Sequence, residues 1–362
     1  MRDDLAGRVM DKLLDWTDEE QADWVRDLAT MASYKFDDYE GFSAGERFFE
    51  RLARWLAQFS DHSERRKLVE FVRRELVFIS RSEMNQAISC VYPHYIKPML
   101  AERAAHQIGV PDYLRCRVVS DTVFKALRRK TVFLGLSDGA RLDQLRRSST
   151  ELSHEQFSLT SDPGDHTQQS MVEKLQKALD VLGVGGGEPV FETVVLVDDF
   201  YGSGTSLIDQ RDDGTWKGKL HRAHQHIQAL ASLDTPVLAK NPMVVVALYV
   251  ASSQAKAHIA GMLAIYQPEW KLIVVQEFRP GLKVADPELL RICDDFFDPA
   301  MIDEHKGPAP RGYKDAALPV VLFHNTPNNS ISPLWADTEF EPDSLGRRAL
   351  FPRYERHHAD RP

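Results

Sequence analysis

Through DDLAGRVMDKLLDW, EEQADWVRDLATMA and AGERFFERLARWLAQFS, apolar positions return every three or four residues, the spacing that puts them on one face of a helix. The polar stretch Ser60–Ser63 interrupts the pattern, and SERRKLVEFVRRELVFI resumes it. Residues 1–115 are therefore expected to form an all-helical N-terminal domain. Pro93 and Pro98 should end or kink a helix, because proline lacks the N–H that the preceding turn requires. The arginines between Arg65 and Arg74 alternate with Glu70 and Glu75, which reads as a solvated amphipathic face rather than a nucleic-acid surface.

The period changes near residue 130. Short apolar runs now alternate with polar helical stretches: Thr131–Leu136, Thr193–Val197, Met243–Ala251, Lys271–Val275 and Pro319–Phe323. Near-continuous runs of Val, Ile, Leu and Phe suit strands buried on both faces of a parallel sheet. Strands separated by helices predict a doubly wound α/β domain with a mainly parallel sheet, over residues 116–340. Ser148–Thr167, Val184–Glu188 and the charged excursion Gln210–Lys219 read as loops, the first two mobile. Residues 341–362 read as a C-terminal tail with a basic finish, RYERHHADRP.

Composition narrows the range of functions. Lys and Arg number 45 against 54 Asp and Glu, a formal charge of −9, which argues against a general polyanion binder. The 3 cysteines, Cys90, Cys116 and Cys293, form no CxxC, so a cysteine zinc site and a redox dithiol are disfavoured and free thiols in a reducing cytosol are expected. MRDDLAGRVMDKLLDW is too charged for a secretory signal, and no apolar run is long enough to span a bilayer. The expected setting is cytoplasmic, with no membrane partner.

The most informative segment is VVLVDDFYGSGTS, Val194–Ser206. Four apolar residues make a buried strand, and Asp198 and Asp199 stand at its carboxyl end, where open α/β sheets bind ligands. Gly202, Ser203, Gly204, Thr205 and Ser206 follow, and Leu207 and Ile208 are expected to begin a helix. A small-residue loop entering a helix offers N–H groups and hydroxyls to a phosphate. Beside it, paired carboxylates suit sugar hydroxyls or a metal-bound group, and a sugar phosphate satisfies both. The chain holds no GxxxxGK[ST], no strand followed by GxGxxG, no GxSxG and no HExxH. His221 and His224, one helical turn apart, read as surface residues rather than a metal site.

VVLVDDFYGSGTS resembles the phosphoribosyl-pyrophosphate (PRPP) motif of type I phosphoribosyltransferases, with Ser203 and Ser206 at positions where that motif carries Thr. The resemblance implies a sheet of the type I phosphoribosyltransferase kind. It places Asp198 and Asp199, the catalytic candidates, on the ribose hydroxyls and Gly202–Ser206 on the 5′-phosphate. The family's diphosphate loop is matched by Ser137, Asp138, Gly139, Ala140 and Arg141, directly after the first apolar run; Gly139 would admit the diphosphate and Arg141 neutralise it. Ser148–Thr167 falls where the family carries its flexible loop; Arg146 and Arg147 read equally as a charge source for it and as a solvated helix face. Asn325, Thr326, Asn328 and Asn329, in FHNTPNNSISPLW, are candidates for the acceptor side. Taken together, the helical extension, LGLSDGARLDQLRR, VVLVDDFYGSGTS and FHNTPNNSISPLW resemble phosphoribosyltransferase-like proteins of bacterial phage-defence loci, some beside retron reverse transcriptases.

What the resemblance implies is a magnesium- and PRPP-dependent transferase that releases diphosphate and acts as a defence effector. Magnesium would be held through substrate oxygens, with Asp198 and Asp199 as the protein's contribution and no dedicated metal motif. A catalytically inactive PRPP- or nucleotide-sensing module in the same fold is the alternative, and a nucleoside- or NAD-directed hydrolase a weaker third. The helical domain's periodicity is equally compatible with dimerisation, with packing on the α/β domain, and with a protein or ribonucleoprotein partner.

Overall fold

The computed structural model describes residues 3–159, 165–301, 309–338 and 345–353. The chain packs into two compact units: residues 84–278, and residues 1–83 together with 279–362. The division differs from the boundaries expected at 115 and 340, because the C-terminal segments pack with the N-terminal helices rather than extending the sheet.

Residues 84–278 carry a five-stranded sheet. Its strands are Thr131–Gly135 (β1), Phe157–Leu159 (β2), Phe191–Tyr201 (β3), Leu238–Ser252 (β4) and Lys271–Phe278 (β5). They lie in the order β2-β1-β3-β4-β5, and every neighbouring pair is parallel. The continuous apolar runs follow from burial on both faces: Val132, Phe133, Val194, Val195, Val245 and Val246 are all inaccessible. On one face, the helices Asp165–Val181 (α1), Lys219–Ala231 (α2) and Ser253–Tyr266 (α3) press Leu175, Ile227 and Ile259 against Val132, Leu196 and Val246. Strand order reverses between β1 and β3, so the crevice beyond their carboxyl ends is the topological switch point where open sheets place ligands.

Two expectations change in this unit. The segment Ser148–Thr167 holds β2, so it is not simply a mobile loop. Gln156, fully buried, donates to the carbonyls of Arg128 and Thr131 at 2.7 and 2.8 Å, which anchors the segment beside β1. Residues 160–164 of that loop lie outside the described residues. Pro93 sits in a π-helical turn, Val91–Ile96, between helices Arg81–Cys90 and Lys97–Ile108, and Pro98 occupies the first turn of the latter, where a missing N–H costs least.

The other unit is built from the helices Asp3–Leu14, Asp18–Tyr34, Phe48–Ala57 and His62–Arg74. Thr17 and Glu20 cap the second of these reciprocally. Val77–Ile79, expected to continue the last helix, is instead a strand paired in parallel with Val320–Leu322. The apolar run Pro319–Phe323 therefore does not join the five-stranded sheet. Phe36, Phe48, Phe78 and Phe351 form the centre of this unit, with ring centroids 4.6 Å apart for Phe36–Phe48 and 5.8 Å for Phe48–Phe351. Phe351 belongs to the expected tail, yet Ala349, Leu350 and Phe351 are wholly buried, and Arg51 Nε donates to the Ala349 carbonyl at 2.7 Å. Phe351 is core because its ring packs on Phe36, Phe48 and Phe78. The basic finish from Tyr354 onward lies outside the described residues, as do His305, His357 and His358.

Candidate functional site

β3 runs past the apolar stretch to Tyr201, so Asp198 and Asp199 are its last residues but three and two and still pair alongside β4, Asp198 opposite Leu248. Asp198 is fully buried. Its Oδ1 accepts from Ser137 Oγ at 2.5 Å, and its Oδ2 accepts from the Tyr201 hydroxyl and from Lys219 Nζ, the latter at 2.6 Å. Burial raises the Asp198 pKa above the ordinary carboxylate value, and the charge of Asp199 adds to this; the Lys219 ammonium and Ser137 pull it back. Burial also pushes the phenols of Tyr201 and Tyr249 up, with Asp198 reinforcing both, so each remains a donor.

Asp199 is half-buried and accepts from the Phe200 N–H at 2.8 Å. Its carboxylate lies against the loop after β1: a Cβ added to Gly139 would stand 2.5 Å from Asp199 Oδ2. A side chain at 139 would therefore displace the Asp199 carboxylate from this loop. The same loop is held from two strands, by Ser137 on Asp198 and by the Tyr249 hydroxyl on the Ala140 carbonyl at 2.5 Å. Arg141, which closes it, has a φ of +46°, an uncommon conformation for a residue with a side chain.

The loop after β3 begins with Gly202, whose carbonyl accepts from Ser252, the N-cap of α3. Gly204 has a φ of +82°, and a Cβ there would lie 3.0 Å from the Ala255 carbonyl. Ser203 Oγ and Thr205 Oγ1 lie 3.2 Å apart. Among the described residues, the backbone N–H groups of Ser203, Gly204, Thr205 and Ser206 have no hydrogen-bond acceptor. Consecutive N–H groups without acceptors, in a bend of small residues, suit an anion.

Leu207 and Ile208 do not begin a helix. They turn onto the Gly204 carbonyl and lead into a two-stranded hairpin, Asp209–Gln210 with Trp216–Lys217. The hairpin closes on itself, so that Lys219 N donates to Ser206 O at 3.2 Å and Leu220 N to Leu207 O at 2.9 Å. The helix N-terminus expected directly after the loop is therefore restored beside it by α2. Lys219 arrives at the site by this route. Its signal was the Asp213-Gly214 pair, a hairpin turn that returns the chain to its point of departure.

The structure thus brings together Ser137–Arg141, Asp198, Asp199 and Gly202–Ser206, and adds Tyr201, Lys219 and Tyr249. Asn325, Thr326, Asn328 and Asn329 belong to the other unit. There Thr326 is buried and donates to the Phe351 carbonyl at 2.8 Å, and Asn329 Nδ2 donates to the Tyr313 carbonyl at 3.2 Å. The Asn325 side chain accepts from the Thr326 N–H at 2.9 Å, and the Asn328 carbonyl accepts from the Tyr313 N–H at 2.8 Å. His221 and His224 share the Tyr266 hydroxyl, each at 2.8 Å, and no group of three metal-ligating side chains occurs among the described residues.

A parallel sheet with a hydroxyl-and-glycine loop, an acidic pair and a second glycine loop at its switch point defines a phosphoribosyltransferase-like protein. Residues 52–353 match the family model PRTase-CE, and the chain belongs to that phosphoribosyltransferase-like family. Searches of curated proteins and of solved structures found no match. No helix among the described residues is long and apolar enough to cross a membrane.

Proposed function

We propose that the protein binds PRPP with magnesium at the β1/β3 crevice and transfers the phosphoribosyl group to an acceptor with release of diphosphate. The observation that carries this reading is the approach of Asp199 to Gly139, which sets a carboxylate between two loops suited to anions. The 5′-phosphate is received by the N–H groups of Ser203–Ser206 and the hydroxyls of Ser203 and Thr205. The diphosphate lies along Ser137–Arg141, where the Arg141 guanidinium offsets its charge. The half-buried Asp199 carboxylate and neighbouring hydroxyls are hard oxygen donors that fit magnesium held mainly by substrate oxygens. When bound, the ion would neutralise charge developing on the departing diphosphate.

In the transfer, the bond from the sugar C1 to the diphosphate oxygen breaks, and the acceptor supplies the electron pair for the new bond to C1. The chain's part is to hold both ends of the donor and to place a carboxylate beside the cationic sugar. The resemblance to phage-defence proteins supports an effector role in an anti-phage system. Calorimetry with PRPP and magnesium tests the site, with Asp199→Ala expected to abolish the heat. Diphosphate release against a panel of nucleobases, nucleotides and nucleic acids tests the transfer. Binding without release would favour the sensing module, and absence of binding would end the PRPP reading altogether. Loss of plaque protection in Asp199→Ala cells tests the effector role.

A further inference from the structure

The two members of the acidic pair stand in different surroundings. Successive side chains on a strand point to opposite faces, so two carboxylates at its end need not share a ligand. Asp198 is inaccessible, and its oxygens are taken by Ser137, Tyr201 and Lys219. A carboxylate has about four acceptor positions, which leaves little of Asp198 for a sugar. Asp199, half-buried, faces the loop of Gly139 instead.

We propose, resting on the PRPP reading above, that the pair is functionally divided. Asp199 is the carboxylate that meets the ribose. Asp198 and Lys219 form a positioning pair that does not touch the sugar. Their contact, at 2.6 Å, joins the carboxyl end of β3, ahead of the phosphate loop, to the first residue of α2, just beyond the hairpin, and so closes the base of both. Through Ser137 the same carboxylate holds the start of the other loop. The cradle's two halves are thereby referred to one buried anion, and Lys219 makes that anion tenable.

The test is PRPP affinity, measured by calorimetry with magnesium, for the wild type, Asp199→Asn, Asp198→Asn, Lys219→Met, the double variant Asp198→Asn/Lys219→Met, and Lys219→Arg. Asp199→Asn is expected to weaken binding by about 100-fold or more. Lys219→Met leaves the buried Asp198 without its ammonium, Asp198→Asn leaves the partly exposed Lys219 without its carboxylate, and each should weaken binding by ~10- to 100-fold. The double variant removes both charges together and should return to within about fivefold of wild type. Lys219→Arg should retain most of the affinity, a rescue that simple loss of packing would not show. A double variant as weak as Asp198→Asn would overturn the division, because Asp198 would then be needed by the ligand itself. Should either single variant fail to fold, the double variant against Asp199→Asn still decides. Wild-type protein that binds no PRPP overturns the functional reading and this assignment with it; wild-type binding with an unrecovered double overturns the assignment alone.

Discussion

Phe351 and Asp198 are both wholly buried, one in each unit, and the two interiors are held by different physics. Around Phe351 the rings of Phe36, Phe48 and Phe78 gain from leaving water, with little directional demand. Around Asp198 the burial itself is unfavourable, and among the described residues Ser137, Tyr201 and Lys219 offset it. The first interior should therefore tolerate changes of shape and punish loss of volume. The second should tolerate neither a displaced atom nor an unmatched charge.

The largest expected effect lies in the aromatic interior. Phe351→Ala removes a ring that touches five others and should destabilise the unit by about 3–5 kcal/mol, read as an earlier transition in urea denaturation. Phe351→Leu keeps much of the volume and should cost markedly less, by roughly half. Equal losses from the two variants would show that the rings interact by geometry rather than by volume, and the contrast with Asp198 would fail.

At the crevice the order of sensitivity reverses. Gly139→Ala places a Cβ 2.5 Å from Asp199 Oδ2, and the short side chain must rotate away. Thermal stability should change little, but PRPP affinity should fall by ~10- to 100-fold, since a displacement of this size in a positioned group is felt at the ligand. Gly186→Ala, where an added Cβ meets nothing within 4 Å, is the control and should bind as wild type. A Gly139→Ala variant of unaltered affinity would mean that Asp199 need not face this loop.

The difference between the interiors also governs what could be read from the residue order. VVLVDDFYGSGTS announced β3, its terminal carboxylates and the bend, since all three are local. Lys219 was hidden behind the hairpin, and only the turn at Asp213-Gly214 hinted that the chain would come back. β2 was missed because FSL is short and its centre is polar. The pairing of Val77–Ile79 with Val320–Leu322, and the burial of Phe351, join residues from opposite ends of the chain, and no local pattern records such a pairing. Apolar periodicity shows that a face is buried and leaves its partner unnamed.

A half-buried polar cluster surrounds Glu151, which accepts from Tyr92 at 2.9 Å, Lys97 at 2.5 Å and Arg128 at 3.1 Å. Burial alone would raise its pKa, but the bonds from Lys97, Tyr92 and Arg128 outweigh that and hold it below 4.5. A lowered carboxylate contributes stability that is complete above the unfolded value and fades as pH falls through the folded one. Glu151→Gln should therefore cost about 1 kcal/mol at pH 7, and the gap to wild type should narrow as pH falls below about 4.5. A gap independent of pH would assign the loss to shape rather than charge, and Glu151 would behave like the aromatic interior.

The smallest effect compares thiols. Cys293 is buried in the unit of the aromatic core, and burial, with the charge of Asp294 beside it, pushes its pKa up to about 12. Cys116 is exposed and Cys90 intermediate. The thiolate is the reactive form, so Cys293 is held back twice, by access and by protonation. In the folded protein at pH 8, iodoacetamide should label Cys116 first, Cys90 more slowly and Cys293 only when urea opens the unit. Mass spectrometry of the digested protein reads the order directly. Early labelling of Cys293 would mean that the interior around it opens far more readily than its packing implies; its protection should instead fall in step with the urea transition that Phe351→Ala advances.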